Sequence, residues 1–350
     1  MSADLKRFGI TLLSAVMTLG MMACASDESP TGPSASASPA RATAETYTAV
    51  DLGTLGGTIS QAYGINPQGQ VVGLSYTSQL RIRAFMWEDG VMTDLGTLGG
   101  NFSRAFGINP AGQVVGGSAT AGREGDTHAF LWTNGVMTDL GTLGGTFSEA
   151  SAINSAGQVA GFSSTGAING FDPVMHAFLW DNAVMTDLGT LGGDYSHAWG
   201  INSRGQVVGE SMRADGRIHA FLWSKGSMTD LGTLGGEGSQ AYGINPAGWV
   251  VGASETASGA RHAFIWKNGV MRDLGSLNGP PSVAIGANPA GKLVGTSNSR
   301  AFLFAKGVMT DLGTLGGSFG QASAINAAGQ IVGTSSTAAG QTHATLWTRN

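Results

Sequence analysis

Val136 to Gly145 reads VMTDLGTLGG, and the same words return along the chain at near-regular intervals. The core, DLGTLGG, starts at Asp51, Asp94, Asp139, Asp187, Asp230 and Asp311, with a decayed copy, DLGSLNG, at Asp273. Successive starts lie 43, 45, 48, 43, 43 and 38 residues apart. Repeats of this length belong to propeller blades or solenoid coils. They fill nearly everything after Thr46, so one repeat domain over residues 46–350 is expected rather than two ordinary domains.

Within one period the pattern is that of four short strands. Arg104–Asn109 (RAFGIN) and Gln113–Ser118 (QVVGGS) flank Pro110-Ala111-Gly112, which suits a type I turn followed by a left-handed glycine. All seven units keep the device, from Asn66/Gly69 through Asn109/Gly112, Asn154/Gly157, Asn202/Gly205, Asn245/Gly248 and Asn288/Gly291 to Asn326/Gly329. A third strand, His128–Trp132, meets Val136–Leu140 through Asn134-Gly135, a type I′ signal that demands positive φ. Ala183 interrupts that signal in unit three, where mild strain is expected. No capped helical period follows the amino-terminal segment.

The ends of the repeat region argue for a ring. Tyr47–Leu52 is a fourth-type strand with no first three before it, and His343–Trp347 is a third-type strand with no fourth after it. Pairing them completes a seventh unit and leaves no long edge, whereas an open solenoid needs polar caps that neither end supplies. The expected fold is all-β: a seven-bladed β-propeller of four-stranded antiparallel blades, closed by the amino-terminal strand.

Composition agrees. There are 57 glycines, 42% hydrophobic residues and only 12% charged ones, which suits short strands and tight turns and not disorder. The net charge of -5 is spread without runs, so a nucleic-acid partner is not expected. Lys6 and Arg7 precede an apolar stretch, Phe8–Met22, too short to span a bilayer. It ends at Ala23-Cys24 and resembles a bacterial lipoprotein signal, with Met21 where leucine is usual. The expectation is a signal peptide over residues 1–23 and acylation of Cys24, the only cysteine; cleavage near Ala25 as an ordinary secretory signal is the alternative. Residues 24–45, rich in Ser, Ala and Pro, read as a flexible tether. Either way the protein is expected outside the cytoplasm, with the lipid as its sole membrane contact.

His-Ala-Phe triplets start at His128, His176, His219 and His262, between GINxxGQVVG-like and MTDLGTLGG-like words. Units one and six carry Arg83-Ala84-Phe85 and Arg300-Ala301-Phe302, and the last unit His343-Ala344-Thr345. The pattern resembles the HAF family of bacterial extracellular repeats. The resemblance covers nearly everything from Tyr47 onward and implies an extracytoplasmic location, with no defined activity and no catalytic residues to carry over.

Repeated residues have structural explanations. Trp87, Trp132, Trp180, Trp223, Trp266 and Trp347, with Phe304 in unit six, are expected as core. The repeated histidines would lie roughly 17 Å from the axis and about 15 Å apart, too far to share a metal. Neither a metal nor a cofactor is expected. The Asp of DLG and the Asn of the hairpin should fix turns, and GTLGG lacks the Lys-Ser/Thr of a phosphate loop.

The functional candidates are the positions that vary. Just after GG stand Ile59, Phe102, Phe147, Tyr195, Gly238, Pro281 and Phe319; two residues on stand Gln61, Arg104, Glu149, His197, Gln240, Val283 and Gln321. Strand alternation brings the loops after strands two and four, including the long Phe162–Met175, to one face. Variable loops on a rigid scaffold are where binding resides. The expected site therefore comprises Phe102, Arg104, Phe147, Glu149, Tyr195, His197, Gln61, Gln240 and Gln321, standing exposed around a mouth and meeting an extracellular glycan, peptide or protein. The alternatives are a glycan hydrolase or lyase using Glu149, Asp194, His197 and Glu237 as acid and base, and a purely structural surface protein.

Overall fold

The computed structural model describes residues 45–122, 126–169 and 172–350. The expected signal peptide, Cys24 and the tether up to residue 44 lie outside the described residues. Those described are organised as strands and turns without helix.

Unit two is representative. Its strands are Gly99–Ile108, Val114–Thr120, Thr127–Thr133 and Val136–Asp139, paired antiparallel in sequence order. The first strand starts earlier than Arg104, at the GG pair, because Gly99 pairs with Thr120. It starts later in units three and six, at Ser148 and Ser282. In unit six Pro280 and Pro281 have no N–H to offer a ladder. Phe162–Met175, expected as a loop, is largely a long hairpin: strands reach Asn169 and resume at Asp172.

Turn chemistry follows the side chains. The Asn66 Oδ1 accepts from the N–H groups of Gln68 and Gln70, and the Gly69 N–H donates to the Asn66 carbonyl at 3.1 Å, with Gly69 at φ +88°. Asn134 and Gly135 are both left-handed, as a type I′ turn requires, and Ala183 is forced to φ +64° in the same place. In every unit the Asp of DLG accepts from the N–H two residues on, as Asp139 does from Gly141 at 2.8 Å. The same carboxylate meets the first side chain of the third-strand triplet. The pairs His128–Asp139, His176–Asp187, His219–Asp230, His262–Asp273 and His343–Asp51 lie at 2.7–2.8 Å. Arg83–Asp94 and Arg300–Asp311, at 3.6 and 3.9 Å, replace them where the triplet opens with Arg.

Units are joined by hydrophobic layers. One layer packs Val72, Ala84 and Leu95 of unit one on Ala105, Val114 and Phe130 of unit two. The same layer recurs down the chain, and Val332, Ala344 and Leu346 of the last unit pack on Ala62, Val71 and Phe85 of the first. The triplet phenylalanines are the fully buried centre of these layers, while Trp87, Trp132, Trp180, Trp223 and Trp266 are half-buried at their margin. The expected tryptophan core is thus corrected: the aromatic two residues before each Trp takes the interior, and among the tryptophans Trp347 alone is fully enclosed.

Polar residues tie the units as well. The Asn66 Nδ2 donates to the Asn109 carbonyl, Asn109 to Asn154, and so on through Asn202, Asn245, Asn288 and Asn326, whose Nδ2 donates to the Asn66 carbonyl; all seven bonds measure 3.1–3.3 Å. The opening strand Tyr47–Asp51 pairs antiparallel with the last, Thr342–Arg349, from Tyr47↔Arg349 to Asp51↔Thr345. At the start of that strand Glu45 receives Lys292 Nζ at 2.8 Å and Arg349 at 3.4 Å. Salt-bridged to two cations, its carboxyl lies below the ordinary range, chiefly through the Lys292 bond.

Candidate functional site

The first strand of each unit carries a bulge two residues after the variable Gln61-type position. In unit one Ala62 pairs with Gly73 and Gly64 with Val72, leaving Tyr63 between them. The bulged residues are Tyr63, Phe106, Ser151, Trp199, Tyr242, Ile285 and Ser323. A bulge re-aims a side chain, so residues two apart converge. His197 stacks on Trp199 with ring centres 3.6 Å apart, and the Tyr242 hydroxyl donates to Gln240 Oε1 at 2.7 Å.

The variable residues then meet across units. Phe162 of unit three stacks on His197 of unit four at 3.8 Å, and Trp199 reaches Tyr242 of unit five at 5.8 Å. Phe147 lies 5.3 Å from Phe162. Glu210 of unit four accepts from Tyr195 Oη at 3.1 Å and from Gln240 Nε2 of unit five. Arg261 Nη2 donates to Gln240 Oε1 and, at 3.0 Å, to Tyr242 Oη. Arg104 lies 5.4 Å from the Phe102 ring, and Glu149 occupies space above Gly117, where a Cβ would meet its Oε2 at 2.7 Å. Gln61 accepts from Tyr63 Oη, and Gln321 is half-buried.

Exposure corrects one expectation. Glu149 is 6% exposed, His197 4% and Glu210 5%, so Glu149 and His197 do not stand free around a mouth. They are covered because the bulge folds the strand-one side chains onto the neighbouring unit. Phe102, Arg104, Phe147, Tyr195, Gln61 and Gln240 remain half-buried.

Burial sets the electrostatics. It pushes the Glu149 carboxyl up to about 7, with Arg104 pulling the other way. It also raises Glu210, against the lowering effect of the Gln240 and Tyr195 bonds. The Trp199 N–H favours the charged form of Glu210 as well, without reaching hydrogen-bonding geometry. His197 is held well below its usual range by desolvation alone and is therefore neutral. Two buried polar atoms, Arg104 Nε and Trp199 Nε1, have no partner among the described residues.

Of the residues expected for acid–base chemistry, Asp194 and Glu237 are exposed and engaged by Asn169 and Arg217. No carboxylate contributes to the shift of His197. Among the described residues no three His, Cys, Asp or Glu side chains cluster at metal-binding distance. The residues that sequence reasoning missed are Trp199, Tyr242, Glu210 and Arg261. Their signal was present, since the bulge positions, the second-strand position of Glu210 and the third-strand position of Arg261 also break the repeat.

No family model and no curated protein matches this sequence. Solved structures do. The β-propeller domain of the Trilobed protease from Pyrococcus furiosus matches with 10% identity and TM-score 0.55, over 83% of this chain and 97% of that one. The WD40 β-propeller domain of Doa1 matches with 14% identity and TM-score 0.50, over 85% and 96%. A Pyrococcus horikoshii acylaminoacyl peptidase matches with 11% identity and TM-score 0.50, over 83% of this chain and 52% of that chain. At such identities the likeness defines the fold: this chain is a β-propeller of four-stranded antiparallel blades, and its chemistry is a separate question.

Proposed function

We propose that the protein is a non-catalytic binding or scaffolding module of the HAF type, exported and held by a lipid on Cys24. In this reading the repeats form seven blades and the amino-terminal strand seals the ring. Support for closure comes from the Tyr47–Asp51 pairing, the Asp51–His343 pair and the asparagine bonds that return from Asn326 to Asn66.

One observation carries the binding reading. Residues that depart from the repeat touch one another across consecutive blades, from Phe147 and Phe162 through His197 and Trp199 to Tyr242, while scaffold residues hardly vary. A packing problem shared by all blades is solved once and repeated; a contiguous patch of departures on one side is the mark of recognition. The experiment is a screen of the purified mature chain against glycan and peptide arrays, followed by Phe147→Ala and Tyr195→Ala. These half-buried side chains should each weaken a captured ligand by at least roughly tenfold. Unchanged affinity in both variants would move the ligand elsewhere.

A catalytic reading, a glycan hydrolase or lyase, has one observation in its favour: a Glu149 carboxyl near 7 suits a general acid. Cleavage of an array glycan that is abolished by Glu149→Gln would favour it over simple binding. Absence of any ligand would favour a purely structural surface protein.

A further inference from the structure

A cleft of about 150 Å³ opens in blade five, with Gly238, Gln240, Ala253, Glu255 and Arg261 in its lining. Two departures from the repeat create it. After GG, where other blades carry Phe102, Phe147 and Phe319, blade five has Gly238. Paired with Gln240 is Ala253, where blades one, three and four place Leu74, Phe162 and Glu210. The backbone does not require the glycine. Its φ is ordinary, and a Cβ there would meet nothing closer than the Ile218 carbonyl at 3.4 Å.

A third departure puts charge into the space. Arg261 stands where other third strands have Ile82, Thr127, Met175 and Ile218, directly across the ladder from Glu255. Cross-strand neighbours of opposite charge normally pair, yet among the described residues these two form no ion pair within 4.0 Å. Each is held aside. Arg261 is drawn off through Nη2 by Gln240 and Tyr242, and Glu255 Oε2 accepts from the Glu237 N–H at 3.2 Å. Arg261 Nε and Nη1 and Glu255 Oε1 keep no bond among the described residues. The serines of the lining are already committed, Ser239 to the Gly232 carbonyl and Ser254 to the Leu234 N–H.

We propose that this cleft binds a free amino acid in its zwitterionic form, carboxylate on Arg261 and ammonium on Glu255. A guanidinium is the preferred donor for a carboxylate. A bare anion would be opposed by Glu255 and by the net charge of -5, and a bare amine by Arg261. A sugar ring would find no aromatic face in the lining. The inference rests on the binding reading above and gives it a ligand class.

The test is calorimetric titration of the mature chain with glycine, alanine and serine, with acetate and methylamine as half-ligands. At least one amino acid should bind, and each half-ligand should bind at least roughly tenfold more weakly. Gly238→Phe, which restores the aromatic of the sister blades, should abolish binding. Arg261→Met and Glu255→Gln should each weaken it by about tenfold or more, and a melting temperature within a few degrees of the parent verifies that a variant is folded. The proposal is overturned if no amino acid binds, if acetate binds as tightly as alanine, or if a folded Gly238→Phe variant binds unchanged. If amino acids fail but an array ligand is captured and lost in Tyr195→Ala, the binding reading stands without this inference. If the arrays also capture nothing, both fall.

Discussion

At the scale of residues, the buried titratable groups make stability depend on pH in two opposed ways. The folded-state pKa of Glu149, about 7, lies above its ordinary 4.5, so the folded chain keeps a proton that the unfolded chain has lost. Stability from this group falls as pH rises from 4.5 through 7 and then levels. Glu210 acts in the same direction. His197, whose pKa is depressed, does the reverse: stability is lost as pH falls below 6.5, where the unfolded imidazole takes a proton the folded one refuses. Glu149→Gln should therefore match the parent near pH 4 and exceed it near pH 8. The expected gain is on the order of 1–3 kcal/mol, limited by the lost attraction to Arg104. Urea midpoints at the two pH values check this, and a pH-independent difference would refute it.

At the scale of elements, the sheets depend on close backbone approach in one place and on side-chain bonds in another. Gly209 on the second strand of unit four leaves no room: a Cβ would meet the His197 carbonyl at 1.9 Å. Gly209→Ala should cost more than about 3 kcal/mol, whereas Gly238→Ala, over open space, should stay within about 1 kcal/mol. Thermal denaturation of the pair separates local crowding from loss of glycine as such. The hairpin asparagine serves two elements at once. Asn202 accepts from the Arg204 and Gln206 N–H groups and donates to the Asn245 carbonyl of the next unit. Asn202→Ala leaves these buried groups unpaired and should cost about 2–4 kcal/mol. An unaltered melting temperature would mean that the turn and the inter-unit bond are dispensable.

At the scale of the whole molecule, the two ends of the repeat region pair with one another. Removing Tyr47–Asp51 strips the outer partner from Thr345–Arg349 and the carboxylate from His343. It exposes an edge and part of the packing around Trp347, which Tyr47 and Ala49 help to form. The truncated chain should melt lower and self-associate; a monomer with the parent melting temperature would contradict the sealing role. The proposed anchor is tested apart from the fold. Mass spectrometry of the mature amino terminus should find a lipid on Cys24, and an unmodified terminus at Ala25 or beyond would reject it.

The repeat made strand count, turn type and scaffold legible from residues alone, because each follows from local chemistry restated in every unit. Asn-Pro-x-Gly and Asn-Gly each allow few backbone conformations, and an Asp two residues before a glycine N–H has one convenient acceptor geometry. The varying positions Phe147, Glu149, Tyr195, His197 and Gln240 could likewise be read as the places where a shared packing problem does not dictate the residue. What only the tertiary structure decided is what those residues touch. Glu149 and His197 read as exposed because burial depends on the neighbouring blade, some 45 residues away in sequence, and on a bulge that alternation does not reveal. For the same reason Phe rather than Trp occupies the interior, and Arg261 and Glu255 stand opposite one another unpaired. Local sequence sets the direction of each strand, while the environment of a side chain is set by the blade it faces.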